Sequence, residues 1–374
     1  MNAVMNLKNM RPGSADSHVT EPPDCYIDRI DAKYRDRAPR MVNDPVKGAS
    51  FIIDGLGMIG IALAAAANIA PDKLKSGETR SFDMLYRGGW DPRARLDDMQ
   101  RDGIHAELIY PSVGMVVYSA PDPDYRAACM RAYNRWLAEF VAAAPGRLFG
   151  IGQSPALTPE SFIQALRRIK AAGFKGVMMP TAPGFKDYDA PEWDPAWEAA
   201  VDLDLPLCFH VLVSQKSVST SVRGSKVGNI MNVIRVNQDI IGVLVFGGVF
   251  VRHPKLKMVC VEADAGWLPH YVYRMDHAYE RFHLWLDSPK LSRPPSEYVR
   301  DNIWFTFQDD WVAFQSLDKI NPHRLLWATD FPHTDSTWPN SMPLLEQHTA
   351  GVDPALIKAI IHDNVVNLFK LELA

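Results

Sequence analysis

Short apolar runs of strand length recur along the chain, and each ends in polar residues before a longer amphipathic stretch begins. Continuous apolar runs are typical of strands that are buried on both faces of a parallel sheet. Eight such runs predict strands, at residues 12–18, 104–111, 147–154, 174–180, 206–212, 256–264, 302–309 and 324–331. Eight strands that alternate with helices favour an α/β fold of the (β/α)8 TIM barrel type.

The stretches between the runs have the periodicity of amphipathic helices, for example at residues 124–144 and 158–173. The second stretch begins with Thr158, a favoured capping residue, and ends at Gly173, a favoured exit residue. A doubly wound open sheet is the alternative to a barrel. Because no GxGxxG pattern follows the first predicted strand, the dinucleotide-binding version of that fold is disfavoured.

Two connections are longer than ordinary loops, at residues 19–100 and 264–300. They follow the first and sixth predicted strands, at the end of a barrel where enzymes build lids and pockets. Within the first, residues 51–70 are apolar over almost the length of a membrane span, but Asp54 and three glycines interrupt them. We therefore expect a buried or substrate-facing insertion there, and a single barrel domain over residues 1–374.

Composition and charge exclude several classes of protein. Hydrophobic residues make up 47% and charged residues 22% of the chain, as in globular proteins and unlike long disordered ones. The net charge of -4 argues against a strongly basic nucleic-acid-binding protein. The N-terminal residues show no secretion signal, so we expect a cytoplasmic protein with no membrane or nucleic-acid partner. The four cysteines are widely spaced and predict no disulfide framework.

Side chains that can bind a metal stand at the ends of four of the eight predicted strands. Asp16 and His18 end the first strand, and their i, i+2 spacing places both on the same side. His210 ends the fifth strand, Glu262 the sixth and Asp330 the eighth. In a closed barrel these strand ends meet at one mouth. Imidazole and carboxylate ligands suit zinc, iron or manganese, and a catalytic site keeps one position open.

Each of these residues also has a purely structural interpretation. A lone histidine at a strand end is more often structural than a ligand, and an aspartate before a Phe-Pro turn is commonly a turn residue. The agreement of four strand ends at one face favours the metal site. Asp264, two residues after Glu262, and His333, three residues after Asp330, lie close enough in sequence to join it.

Six segments resemble the amidohydrolase superfamily. They are DSHVTEPPD (16–24), GGWDPRARLDDMQRDGIHAELIYPSVGM (88–115), FH (209–210), HPKLKMVCVEADAGWLP (253–269), RPPSEYVRDNIWFTFQDD (293–310) and LLWATDFPHTDSTWP (325–339). The closer match is the amidohydrolase-related branch, which includes aminocarboxymuconate-semialdehyde decarboxylase and related aromatic-acid decarboxylases. The resemblance covers nearly the whole chain and implies a TIM barrel with a divalent metal, usually zinc, at the C-terminal ends of its strands.

The resemblance also assigns roles to residues. Asp16 and His18 would take the first two ligand positions, His210 the strand-five position and Asp330 the strand-eight position. In relatives the strand-eight carboxylate also handles the proton of the metal-bound water, so Asp330 is expected to be catalytic. Iron or manganese would suit the same ligands.

The sequence departs from the family's pattern at the sixth strand. Relatives usually carry a histidine there, whereas this chain reads VEADAG at residues 261–266. Glu262 is therefore a second candidate catalytic residue, or a ligand that supports a second metal together with His333. The fourth predicted strand carries Lys175 only at its start, so the bridging carboxylated lysine of binuclear relatives is absent.

Three activities fit these residues. The leading hypothesis is a hydrolase that uses metal-bound water on a carbonyl-type carbon of a small apolar or aromatic substrate. The alternative is a nonoxidative decarboxylase of an aromatic or unsaturated acid, and a minor alternative is a diiron oxygenase. A binding protein without activity would not explain the four converging strand ends. Arg87, Trp90 and Tyr110 are candidate substrate contacts, and a homodimer is expected.

Overall fold

The strands of the computed structural model form one eight-stranded parallel sheet and one three-stranded antiparallel sheet. The structure describes residues 6–70, 72–73, 80–213 and 227–374. In chain order the strands are β1 Gly13–His18, β2 Arg40–Asp44, β3 Gly48–Ile53, β4 Gly57–Gly60, β5 Ala106–Tyr110, β6 Leu148–Gln153, β7 Gly176–Met179, β8 Leu207–His210, β9 Met258–Val261, β10 Ile303–Phe307 and β11 Leu325–Trp327. Strands β1 and β5 to β11 lie in the predicted runs and confirm the TIM barrel.

The barrel strands are neighbours in the order in which they follow along the chain, from β1 through β5 to β11. Two backbone hydrogen bonds join its first and last parts. The N–H of His18 donates to the carbonyl of Phe331 at 2.7 Å, and the N–H of Asp330 donates to the carbonyl of Asp16 at 2.9 Å. These bonds bring the segment after β11 against the C-terminal end of β1, so candidate ligands from the two ends of the chain meet.

Every position of the eight barrel strands is buried. Burial on both faces explains why these strands read as continuous apolar runs rather than as alternating ones. β1 is the exception, since its buried residues include Ser14, Asp16, Ser17 and His18. Glu107 is a charged residue inside the otherwise apolar strand β5 and is only 2% exposed.

Helices connect the barrel strands. In chain order they are α1 Pro92–Asp102, α2 Val113–Val117, α3 Pro123–Ala142, α4 Pro159–Ala171, α5 Asp194–Asp202, α6 Val227–Asn232, α7 Arg235–Phe246, α8 Val249–Arg252, α9 Leu268–Phe282, α10 Pro295–Asn302, α11 Trp311–Gln315, α12 Ser341–His348, α13 Pro354–Lys358 and α14 Asn364–Phe369. A π-helical turn, Ala359–Asp363, lies between α13 and α14. The two helices predicted from periodicity are α3 and α4.

Four of these helices start in the same way. A capping side chain accepts a backbone N–H bond of the first turn, and a proline follows at the first helical position; the caps are Asp91, Asp122, Thr158 and Asp353. Such a cap satisfies N–H groups that have no partner inside the helix, and proline has no N–H to satisfy there. Thr158 is therefore the predicted cap, and Gly173 follows the end of α4 with a φ of +79°.

The connection after β1 holds the small antiparallel sheet, in which β2 pairs with β3 and β3 with β4. The apolar residues 51–70 run through β3 and β4 into a short 3-10 helix, Ala62–Ala65. Across the described parts of the chain, no helix is both long and apolar enough to cross a bilayer. Residues 71 and 74–79 of this predicted insertion, and residues 1–5 at the N-terminus, lie outside the described ranges.

Two later connections also carry extra structure. After β9, helices α9 and α10 pack on one another within the predicted segment 264–300. Between β8 and β9 lie α6, α7 and α8, a connection longer than the strand pattern alone indicated, although residues 214–226 are outside the described ranges. All four cysteines are buried and unpaired, as their spacing predicted.

Candidate active site

Six predicted residues lie together at the C-terminal ends of the barrel strands. They are Asp16, His18, His210, Glu262, Asp330 and His333. Their candidate ligand atoms form two groups that share His18, and the atoms of each group lie within 4.8 Å of one another. The first group comes from β1, β8 and the end of β9, and the second from β1 and the segment after β11. The predicted convergence of strand ends is present in the fold.

The two histidines His18 and His210 face each other through their Nε2 atoms, which are 3.1 Å apart. The Nδ1 atom of each ring lies 2.8 Å from a backbone carbonyl, that of Pro111 for His18 and that of Val211 for His210. A carbonyl only accepts, so each Nδ1 carries a proton and each neutral ring presents an Nε2 lone pair. Two lone pairs at this distance repel each other unless a proton or a cation lies between them.

The carboxylates of the cluster are short of hydrogen-bond donors. Both oxygens of Asp16, both oxygens of Asp330 and Oε2 of Glu262 are buried and accept no hydrogen bond within the described structure. Asp16 Oδ1 lies 3.4 Å from His18 Nε2, and Asp330 Oδ1 lies 3.3 Å from the same atom. Because unpaired buried oxygens are costly, this donor set fits a bound cation.

The charges within the cluster shift its pKa values in opposite directions. Burial opposes ionisation of Asp16, but the charge of His210, together with the close approach of both histidine rings, holds the pKa of Asp16 well below its ordinary value. Burial likewise opposes the charged form of His210, but the charge of Asp16 raises the pKa of His210 to about 9. Burial lowers the pKa of His18 to about 4.

The other two carboxyl groups hold their protons more tightly. Burial, followed by the charge of Asp330, raises the pKa of Glu262 well above its ordinary value. Burial raises the pKa of Asp330 to about 8. A carboxylate oxygen that faces a cation must carry no proton, so a bound cation would displace the proton of Glu262, whereas Asp330 could keep a proton on its other oxygen.

Both ring nitrogens of His333 are engaged. Nδ1 lies 3.0 Å from Asp330 Oδ1, and Nε2 lies 2.8 Å from the Oγ atom of Ser112. The Ser112 hydroxyl donates its one proton to the carbonyl of Val19 at 2.6 Å, so it accepts from the Nε2–H of His333. The His333 ring also stacks on His18, with centroids 3.8 Å apart. Burial lowers the pKa of His333 to about 3, so the ring is neutral and its Nδ1 carries no proton. Nδ1 can therefore only accept a hydrogen bond, which a protonated Asp330 would donate.

A buried ion pair beneath the cluster was not foreseen from the sequence. Arg95 of α1 donates from Nε to Glu107 of β5 at 2.6 Å, and both side chains are buried. The same guanidinium donates to the carbonyl of His18 at 2.8 Å and to that of Phe331 at 3.2 Å. Arg95 thus fixes the two segments that carry His18 and Asp330. The charge of Glu107 inside a buried strand was the available signal, because such a charge needs a partner.

The backbone leaves the strand geometry just where the carboxylates begin. β9 ends at Val261, and Glu262 and Asp264 both have left-handed φ values, +56° and +53°. The two-residue alternation of a strand therefore no longer applies, and Asp264 stays outside both groups of ligand atoms. Lys175 precedes β7, where its Nζ donates to the Lys370 carbonyl, in agreement with the absence of a bridging lysine.

The three candidate substrate contacts lie in different environments. Tyr110 is buried at the end of β5, with its ring centroid 6.0 and 5.5 Å from those of the two facing histidines. Trp90 packs on Phe82 at 4.2 Å. The side chain of Arg87 is 74% exposed and pairs with Asp91 at 2.7 Å. Tyr110 therefore borders the cluster, while Arg87 extends into solvent.

The chain matches known proteins over almost its full length. A family model described as amidohydrolase matches residues 15–371. A 2-amino-3-carboxymuconate-6-semialdehyde decarboxylase from Dictyostelium discoideum is 29% identical over 251 residues, which are 65% of this chain and 67% of the relative. A gamma-resorcylate decarboxylase from a Polaromonas species is 26% identical over 314 residues, 75% of this chain and 87% of the relative.

Solved structures share the fold at lower identity. An amidohydrolase from Mycobacterium avium subsp. paratuberculosis superposes with a TM-score of 0.78 at 19% identity, covering 97% of this chain and 98% of that one. A dihydroxybenzoic acid decarboxylase from Polaromonas, solved with manganese and the inhibitor 2-nitroresorcinol, gives a TM-score of 0.64 at 19% identity, with coverage of 97% and 98%.

Proposed function

Because the chain belongs to the amidohydrolase family, we propose that it is an enzyme that holds a divalent metal ion and decarboxylates an aromatic acid without oxidation. The observation that carries the proposal is the set of buried, unpaired carboxylate oxygens that face two imidazole Nε2 atoms at the mouth of the barrel. The curated relatives support the reaction, since both of those described above are decarboxylases.

The proposed ligands are Asp16, His18, His210 and Asp330. When bound, a divalent cation supplies positive charge that attracts the anionic oxygens of the substrate and stabilises negative charge that develops there. Manganese is present in a structural neighbour, while zinc is the ion that the family resemblance led us to expect. Either ion is compatible with imidazole and carboxylate donors.

The residues of the chain have to bring one proton to the substrate. Decarboxylation replaces the bond between a ring carbon and the carboxylate by a bond to hydrogen. The ring carbon takes a proton, carbon dioxide leaves, and the electron pair of the broken bond returns to the ring. We assign Asp330 as the proton donor, because its carboxyl group lies in the cluster and the Nδ1 atom of His333, 3.0 Å away, can accept a hydrogen bond from the protonated group.

The surroundings of the cluster suit this reaction. Asp16, His18, His210 and Asp330 are each no more than 1% exposed, so competing water has little access to them. The buried ring of Tyr110 adds an aromatic wall beside the two histidines. An aromatic substrate would fit beside this ring. Trp90 and Arg87 remain proposed substrate contacts.

Hydrolysis, the leading hypothesis from sequence alone, is the second candidate, and diiron oxygenation the third. The test is incubation of the purified enzyme, loaded with Mn²⁺ or Zn²⁺, with 2,6-dihydroxybenzoate and 5-carboxyvanillate, followed by chromatography and detection of carbon dioxide. We expect carbon dioxide and the decarboxylated phenol in equal amounts. Turnover of esters or lactones, without decarboxylation of any hydroxybenzoate tested, would replace this proposal by hydrolysis. Two bound irons with oxygen consumption would favour the oxygenase.

We also propose that residues 1–374 fold as one domain and that two copies form a dimer. Leu284, Trp285 and Leu286 follow α9 and are 87%, 83% and 70% exposed. Exposed apolar side chains in a row are typical of a surface that is covered in an assembly. Analytical ultracentrifugation of the wild-type enzyme gives the mass directly, and a monomer at all concentrations would contradict the dimer.

A further inference from the structure

Glu262 points its carboxylate into the cluster from the residue that follows the C-terminal end of β9. Its Oε2 atom is buried, accepts no hydrogen bond within the described residues, and lies 3.3 Å from Nε2 of His210. The φ of Glu262 is +56°, a left-handed conformation that is uncommon for a residue with a side chain. The backbone N–H donates to Oγ1 of Thr306 at 2.7 Å, which holds this conformation in place.

We propose that Glu262 is a direct ligand of the metal ion and that it shifts the preference of the site from zinc toward an oxygen-preferring ion such as Mn²⁺. The inference rests on the proposed metal site and deepens it. With Glu262, the donor set consists of two imidazoles and three carboxylates. A histidine at this position would give three imidazoles and two carboxylates.

The chemistry of the donors is the reason for the shift. Carboxylate oxygens suit manganese and magnesium, whereas imidazole nitrogen suits zinc and the later transition metals. Among the described residues, His210 is the one basic side chain within ion-pair distance of Glu262. The carboxylate is therefore not neutralised by an arginine or lysine contact, and Glu262, His18 and His210 are residues that would hold a cation here.

Asp264 provides a matched control. It lies two residues further along the same turn, has nearly the same left-handed φ, and carries the same functional group. It contributes no atom to either group of candidate ligands. If removal of any carboxylate from this segment weakens metal binding, both variants will bind metal more weakly. If Glu262 is a ligand, only the Glu262 variant will.

The experiment measures metal affinity rather than activity. Metal-free protein, prepared by chelation, is titrated with Mn²⁺ and separately with Zn²⁺ in competition with a chromophoric chelator. For Glu262→Gln we expect Mn²⁺ affinity to fall by about 100-fold or more. Loss of a residue that contacts a ligand but does not itself bind the metal typically lowers metal affinity by roughly 10- to 100-fold. For Asp264→Asn we expect Mn²⁺ affinity to stay within about threefold of wild type.

Glu262→His gives a second, independent readout. A new imidazole ligand should retain tight Zn²⁺ binding while it weakens Mn²⁺ binding, so the ratio of the two affinities should move toward zinc by about tenfold or more. A residue that only positioned another ligand would weaken both ions alike. This variant also serves if Glu262→Gln does not fold, as judged by its circular dichroism.

Failure of the proposed metal site and failure of the Glu262 assignment give different results. If the wild-type protein binds neither ion, the proposed metal site itself is wrong. If wild type binds metal and His210→Ala loses it, but Glu262→Gln keeps wild-type Mn²⁺ affinity, then Glu262 is not a ligand and the proposed function still stands. An unchanged preference between Mn²⁺ and Zn²⁺ in Glu262→His would likewise overturn the inference.

Discussion

The Nε2 atoms of His18 and His210 lie 3.1 Å apart, and each ring is held from behind by a carbonyl on its Nδ1. The two carbonyls belong to Pro111 and Val211, in the segments that follow β5 and β8. The rings are therefore set in position by the backbone of the barrel, before any ligand arrives. A site of this kind needs little reorganisation to bind a cation, and loss of either ring removes one preset donor.

Replacement of either histidine tests the metal site directly. We expect His18→Ala and His210→Ala each to lose most of the bound metal and the activity, because one of about four ligands is removed. Metal content by inductively coupled plasma mass spectrometry is the measurement. His105→Ala is the control, since His105 contacts Arg11 outside the cluster, and it should keep its metal. Full metal occupancy in the His18 or His210 variant would refute the assignment.

Replacement of Asp330 tests the proton donor. Asp330→Asn keeps the shape of the side chain but has no acidic proton, so we expect kcat to fall by about 10²- to 10⁴-fold. Metal content has to be measured on the same samples, because Asp330 is also a proposed ligand. Substrate affinity should change less than kcat. A variant that keeps its metal and a near-normal kcat would show that another group delivers the proton.

Disruption of the ion pair beneath the site should cost stability. Arg95→Met leaves the carboxylate of Glu107 buried without its partner, and we expect the free energy of unfolding to fall by about 3–5 kcal/mol. The double variant Arg95→Met/Glu107→Gln should recover part of this loss, since it removes the unpaired charge. Urea unfolding of the metal-free proteins is the measurement. A loss below about 1 kcal/mol in Arg95→Met would contradict the role assigned to the pair.

Asp102 gives a prediction for the dependence of stability on pH. Burial raises the pKa of Asp102 to about 6 from an ordinary 3.8. The folded protein binds this proton more tightly than the unfolded chain, so the contribution to stability is full below about pH 4 and is lost as the pH rises through about 6. Asp102→Asn cannot lose a proton. The free energy of unfolding of Asp102→Asn, minus that of wild type, should therefore increase by about 1–3 kcal/mol as the pH rises from 4 to 8.

The geometry makes asparagine a suitable replacement at this position. The N–H of Ser341 donates to Asp102 Oδ1 at 2.9 Å, and the Ser341 hydroxyl contacts Oδ2. An amide can accept the first bond and donate the second to the hydroxyl oxygen. Chemical unfolding of both proteins at several pH values is the measurement. A difference in stability that does not change with pH would show that Asp102 titrates normally in the folded protein.

The sequence predicted the barrel because buried parallel strands have to be apolar throughout. Asp16 and His18 lie together as expected, with Oδ1 of Asp16 3.4 Å from Nε2 of His18, although the register of β1 against β5 shifts between Ser14 and Ser17. The same reasoning did not separate Glu262 from Asp264. Both lie past the end of β9 with left-handed backbone, so their directions depend on local conformation and not on strand periodicity.

The supporting contacts depend on tertiary structure and were beyond the reach of sequence patterns. Ser112 meets His333 across 221 positions of the chain, and no spacing rule connects them. The strands β2 to β4 were also missed, because the apolar content of residues 51–70 dominated the pattern there. The ion pair of Arg95 and Glu107 was missed as well, although a charge within the apolar run 104–111 was a signal that Glu107 needs a buried partner.

The two backbone hydrogen bonds that join β1 to the segment after β11 make assembly of the site depend on closure of the barrel. Asp16 and His18 belong to the first barrel strand and Asp330 follows the last, so a polypeptide that lacks either strand cannot assemble the ligand set. A metal ion that binds only the closed barrel would add to its stability by mass action, most strongly at this seam. The divalent ion would thus stabilise the contact between the first and last barrel strands. After its removal, we expect a protease to cleave the C-terminal residues before the rest of the barrel unfolds.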